Sequence, residues 1–195
     1  MGQYFLPVNL TKREFINPHA LGSGLKLCEQ LGSHVGSALI ILCASMPERR
    51  GGGDLDLDQN WHGPERKFPE HNVNPGPMPD EYPAIARRTI GRWAGDSIAI
   101  VGDYAKDSDA LPLVVDSDGF PIIPSRIYGL CSSMADITAD PEWAAGLAER
   151  QGVSLDKLPA ILFRDVTGDV CRVIEHELGG RFKGEGWRQF VENAS

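Results

Sequence analysis

Apolar positions along this chain follow two rhythms, and the switches between them outline its elements. Residues 3–10 read as a strand by their aromatic and aliphatic content, and 14–16 return as a short second strand before Asn17-Pro18 breaks it. From Gly24 the spacing of Leu25, Leu27, Cys28 and Leu31 is helical, with Gly32 where a terminal glycine cap belongs. Ser37 caps an expected buried helix over 38–43, a run that also reads as a central strand, because periodicity does not separate the two in so short a segment. Residues 89–93 and 97–101 form an expected hairpin around Ala94-Gly95-Asp96. A second hairpin joins 113–115 to 120–123 through Asp116-Ser117-Asp118-Gly119, with Pro121 confining its strand to a sheet edge. Asp140-Pro141 starts a helix with Trp143, Leu147 and Ala148 on one face, ending at Gly152. Residues 159–166 and 170–174 read as further strands, and 186–193 as a closing helix with Trp187, Phe190 and Val191 on one side.

Between these segments, residues 47–83 break the pattern. Half of the 14 prolines fall there, together with Gly51-Gly52-Gly53. So long a connection is functional or disordered in most proteins, and Asn74-Pro75-Gly76-Pro77-Met78-Pro79 favours an extended polyproline path. The expectation is a single α+β domain over 1–195, with a mainly antiparallel sheet, two to four packed helices and one long Pro/Gly-rich loop.

Composition narrows the classes. With 195 residues and 42% hydrophobic content the chain can bury a core, which excludes disorder throughout. A net charge of −8 works against nucleic acid and suits a basic partner. The longest apolar run, 38–44, is far below the ~18–20 residues of a membrane span, so no membrane is expected. No basic region followed by an apolar one opens the chain, and Leu6 stands where myristoylation needs Ser or Thr. Cys28, Cys43, Cys131 and Cys171 form no C-x-x-C pair and read as reduced, mostly buried thiols of a cytoplasmic protein.

Met1-Gly2-Gln3-Tyr4-Phe5, Val8-Asn9-Leu10, Pro18-His19, Gly24-Leu25-Lys26-Leu27 and Arg50-Gly51-Gly52-Gly53-Asp54-Leu55 set one pattern. Gly91-Arg92-Trp93-Ala94-Gly95-Asp96, running into Gly102-Asp103-Tyr104, sets another. Together they resemble a family of uncharacterised bacterial proteins over about a third of the chain. The resemblance implies a shared fold and carries over no activity and no catalytic residue.

Several constellations could carry chemistry. Arg49 and Arg50 beside Gly51, Gly52 and Gly53 could form an anion nest, although no Gly-Lys-Ser/Thr follows as in a phosphate-binding loop. Asp54, Asp56, Asp58 and Glu65 fall at positions 1, 3, 5 and 12 of a calcium loop and would take Ca²⁺ or Mg²⁺, but Gln59 replaces the turn glycine, and the alternation also suits an acidic strand. His62 and His71 could join Asp54 or Asp58 around a transition metal, yet loop histidines at this spacing read first as surface residues. His176 between two glutamates reads as a surface residue rather than a base, and His19 and His34 as structural. Trp93, Asp96 and Asp103 could surround a ligand, though core aromatic and turn residue are the simpler roles. No G-x-S-x-G elbow supports a nucleophile. Trp61 and Phe68 in the polar loop are candidate partner anchors.

The sequence therefore points to a non-enzymatic intracellular binding protein that engages an unidentified protein partner through the loop and an acidic surface, with no cofactor. The alternative is a metal-dependent enzyme acting on a phosphorylated or anionic small molecule, with the aspartates as ligands and Arg49 and Arg50 as the anion clamp. Oligomeric state stays open.

Overall fold

The computed structural model describes residues 3–45, 81–132 and 134–178. Its main sheet runs in the order β3 (Ile98–Gly102), β1 (Phe5–Asn9), β2 (Glu14–Phe15), β6 (Arg164–Asp165). β1 pairs antiparallel with both β2 and β3, whereas β2 pairs parallel with β6. A separate antiparallel ribbon joins β4 (Val114–Val115) to β5 (Pro121–Ile122). This is the α+β class with a mostly antiparallel sheet.

Period-two alternation sends successive side chains to opposite faces, and each face has its own core. Leu6, Val8, Phe15, Val101 and Phe163 lie on one side with α4 (Pro124–Leu130), α6 (Pro141–Gln151) and α7 (Leu158–Ile161). Ile16, Trp93 and Val166 lie on the other with α2 (His34–Cys43), α3 (Tyr82–Thr89) and α8 (Thr167–Leu178). Interior strand β1 carries Pro7 at the cost of one ladder bond. Leu10 N–H donates to Ser97 and Asp103 N–H to Tyr4, so Pro7–Ile100 is a non-hydrogen-bonded pair and nothing is lost towards β3; towards β2, Ile16 N–H donates to the Pro7 carbonyl at 3.1 Å, and Pro7 has no N–H to return the bond.

Several expectations hold in detail. The second hairpin forms, with Gly119 at φ 85° closing its turn while Asp116 Oδ1 accepts from Asp118 and Phe120 N–H. Asp140 caps α6 by accepting from Trp143 N–H at 3.0 Å, and Gly152 ends it at φ 68°. The run 38–43 is helical, but its cap is Ser33, which accepts from Val35 N–H, not Ser37.

Others need correction. Among the described residues there are eight α-helices instead of two to four; α1 (Leu27–Leu31), α5 (Met134–Ala139) and α7 are very short, and five longer ones remain. The hairpin expected over 89–101 does not form. Thr89 ends α3, which begins at Tyr82 with Pro83 in its first turn, and β3 pairs with the distant β1. Residues 170–174 lie in α8, since a 3.6 period fits Val170, Val173 and Ile174 as well as a strand does. The helical spacing that ends at Leu31 does not mark a core face throughout: in α1, Leu31 is 83% exposed. Cys28 and Cys43 are exposed, Cys131 is half-buried and only Cys171 is fully buried, so the thiols are not mostly buried. Residues 186–193 and nearly all of 47–83 lie outside the described residues.

One buried group is out of place. The Thr89 hydroxyl is enclosed in the second core and has no hydrogen-bond partner among the described residues. Thr89→Val keeps the shape and removes the orphan, so urea unfolding should show a stability gain of about 1 kcal/mol. A loss of similar size would mean that the hydroxyl is bonded.

Candidate functional site

Two fully buried polar residues, Asn9 and its register partner Glu14, interrupt the apolar pattern of one face of the sheet. Glu14 shares its parity with Ile16 and therefore points into the second core, where it is fully buried. A carboxylate there needs donors for every lone pair, because desolvation otherwise drives it to its neutral form. Donors come from two distant segments. Arg92 spans the carboxylate with Nε on Oε2 and Nη2 on Oε1, both at 2.7 Å, while Trp93 Nε1 donates to Oε2 at 2.9 Å. Arg164 Nη2, facing Glu14 across the β2–β6 pair, donates to Oε1.

Delivery of Arg92 and Trp93 depends on the turn after α3. Gly91 and Trp93 N–H groups donate to Ile41 and Leu42 carbonyls at 2.9 and 2.7 Å, filling acceptors that the end of α2 leaves open. Farther along the same turn, Asp96 Oδ2 accepts from Asn9 Nδ2 at 2.7 Å and meets Lys12 Nζ at 2.8 Å. The residues of the 91–96 motif thus divide the mechanical work of the turn. Gly91 and Trp93 seal α2, Arg92 and Trp93 hold Glu14, and Asp96 ties the turn to β1.

Burial alone would raise the Glu14 pKa. Hydrogen bonds from Arg92, Arg164 and Trp93, with the Arg92 charge, outweigh it and hold the group at about 2 instead of 4.5. Such a carboxylate is charged at neutral pH and its lone pairs are taken, so it clamps segments together and is not poised as a base. Its contribution to stability is complete above about pH 4.5 and is lost as pH falls from there towards 2. Urea midpoints followed from pH 6 to 2 should therefore drop more steeply in the wild type than in Glu14→Gln. Parallel curves would count against the clamp.

A second feature runs along the chain from the turn before β3, the edge strand of the main sheet, into the β4–β5 ribbon. Residues 94–118 carry six aspartates against one lysine, Lys106, within a chain of net charge −8. Among the described residues, Asp96 and Asp118 meet lysines, the latter through Lys157 at 3.2 Å. Asp103, Asp107, Asp109 and Asp116 accept hydrogen bonds from Tyr4 N–H, Ser125 Oγ, Lys106 N–H and nearby turn amides, with no cation in reach there. Ile98, Ile100, Tyr104, Leu113, Val115 and Phe120, all in or beside this stretch, are exposed.

The residues singled out from sequence fare unequally. Trp93 is a core aromatic and Asp96 a turn residue, as their simpler roles implied. His19 Nδ1 pairs with the Ser23 carbonyl at 3.1 Å, a structural role. His176 is half-buried and stacks on Tyr82 with ring centroids 3.7 Å apart, so it is not a surface residue. Arg49, Arg50, Gly51, Gly52, Gly53, Asp54, Asp56, Asp58, Trp61, His62, Glu65, Phe68 and His71 lie outside the described residues. Among the described residues no cluster of His, Cys, Asp or Glu is arranged to hold a metal, and no helix is long and apolar enough to cross a membrane. Sequence reasoning missed Glu14 as a clamp, although a glutamate in the apolar phase of a strand was the available signal.

Comparison with protein-family models, with curated proteins and with solved structures returns no match for this chain.

Proposed function

We propose that this chain is a non-enzymatic, cytoplasmic binding protein that engages a macromolecular partner through its acidic surface and the segment 47–83, with Trp61 and Phe68 as anchors. The observation that supports this reading is the coincidence, over residues 94–120, of exposed apolar side chains with aspartates that meet no cation among the described residues. Exposed rings and branched chains beside unpaired charge are what a complementary surface would cover. The Glu14 clamp contributes stiffness: it fixes the turn that leads into β3, so this surface meets its partner largely preformed.

A photo-crosslinking residue placed at Tyr104 or Phe120 tests the reading. The expected result is one polypeptide joined at both positions in host lysate, confirmed by reciprocal capture and lost in about 0.5 M salt, where screening is strong. Deleting residues 59–79 should weaken the adduct at least fivefold. Diffuse labelling would overturn the proposal. So would stabilisation by millimolar Ca²⁺ or Mg²⁺ together with a phosphate ester, since a ligand bound only by the native state raises its stability; that result would favour the metal-dependent alternative.

A further inference from the structure

We infer that the outer edge of β3 receives an extended strand from a partner, one that alternates apolar and basic residues. The inference rests on the binding reading above and adds the mode and the chemistry. Because Leu6–Val101 and Val8–Ala99 form the hydrogen-bonded pairs with β1, the N–H and C=O groups of Ile98 and Ile100 point away from the sheet. Gly102 shares that direction, and its carbonyl also accepts from Ala105 N–H. Among the described residues no strand lies beyond β3.

Natural edges are usually blunted by charge, proline, a bulge or shortness. The opposite edge follows the rule: β6 has two residues, both charged. β3 has five residues, none of them charged or proline, paired with β1 in unbroken register. Its outward ladder is flanked on one face by Ile98 and Ile100, which are 36% and 40% exposed. A strand added here would continue the hydrogen-bonded ladder and cover both isoleucines, which is the chemistry of β-augmentation.

Charge chooses between occupants. Asp103, Asp107 and Asp109 follow β3 directly and meet no cation among the described residues, whereas Lys106 is the only base nearby in sequence. A second copy would bring the same carboxylates against themselves, on top of a net charge of −8 for each chain. A strand carrying lysine or arginine between its apolar residues offsets the negative charge that follows β3, while its apolar residues lie over Ile98 and Ile100.

The test uses the full chain and an acetylated nine-residue peptide alternating valine and lysine. Binding is read by fluorescence anisotropy, and amide hydrogen exchange is followed at Ile98, Ile100 and Gly102. Expected results are protection of these amides and at least a tenfold weaker affinity both for the N-methylated peptide, which lacks outward donors, and for the valine–glutamate version. Ile100→Pro removes an outward N–H without breaking a β1 bond and should weaken binding tenfold; if that variant does not fold, Ile100→Lys at the same exposed position should do so by repulsion. Binding that is indifferent to N-methylation and leaves the β3 amides unprotected overturns strand addition yet leaves the binding reading standing. Absence of binding overturns the inference. Protection without peptide, with a doubled mass in sedimentation, overturns it in favour of a second copy. Failure of the crosslinking experiment, in contrast, removes the binding reading itself.

Discussion

Glu14→Gln should lower stability by about 3–5 kcal/mol, the usual cost of leaving a buried ion partner uncompensated. For a chain of this length that corresponds to a fall in melting temperature of roughly 10 °C. The glutamine keeps the volume and one acceptor oxygen, but its amide nitrogen donates where Arg92 and Trp93, or Arg164, also donate. Of the four N–H groups that the carboxylate accepts, two keep the remaining oxygen and two face the amide nitrogen without an acceptor. Arg164 can turn away, since its side chain is 66% exposed, whereas Arg92 is 21% exposed and Trp93 is sealed in the core. The loss therefore falls mainly on Arg92 and Trp93. Glu14→Leu combined with Arg92→Leu should be milder than Glu14→Gln, because it removes the charge and its desolvation together and leaves the Trp93 indole N–H as the remaining buried donor without an acceptor. If Glu14→Gln costs under about 1 kcal/mol in urea unfolding, the carboxylate is not the tie described.

Gly91→Ala should be nearly as damaging, at about 2–4 kcal/mol, through backbone alone. Gly91 sits at φ 73°, where an L-residue costs about 1–2 kcal/mol. An added Cβ would also lie 2.5 Å from the Ala44 carbonyl oxygen, a backbone atom at the end of α2 that cannot swing aside. Relief requires the turn to lift from α2, breaking the bonds from Gly91 and Trp93 N–H to Ile41 and Leu42. Because the same turn aims Arg92 at Glu14, the substitution should also loosen the clamp. Gly95→Ala is the matched control: it has a similar φ of 80° but nothing within 4 Å of its Cβ, so it should lose only the conformational part. Equal losses at the two positions would mean that close approach to α2 is unimportant.

Much of the local structure was legible because one strong signal decided it. Asp140-Pro141 and Gly152 bracket α6 by capping chemistry, and Asp116 with Gly119 fixes the β4–β5 turn without help from the rest of the fold. Strand β3 was legible too, but its partner was not. Residues 89–93 look like the near half of a hairpin, yet the N–H groups of Gly91 and Trp93 go to the end of α2, a demand set by tertiary contact that no local pattern displays. The same limit hid the clamp: Glu14, Arg92 and Arg164 are far apart in sequence, and only the register of β2 against β6 and the turn after α3 brings them together. For the candidate surface the sequence supplied the charge, while the exposed, unblunted edge of β3 required the strand order.

Carbon-detected NMR of the Glu14 side-chain carboxyl, titrated in the full chain, reads the clamp without a substitution. A midpoint near pH 2, well below the ordinary 4.5, is the predicted result, with the native fold lost as the group protonates. A carboxyl that titrates at or above 4.5 in the folded chain would show that the two arginines and the indole do not hold it, and the clamp would have to be abandoned.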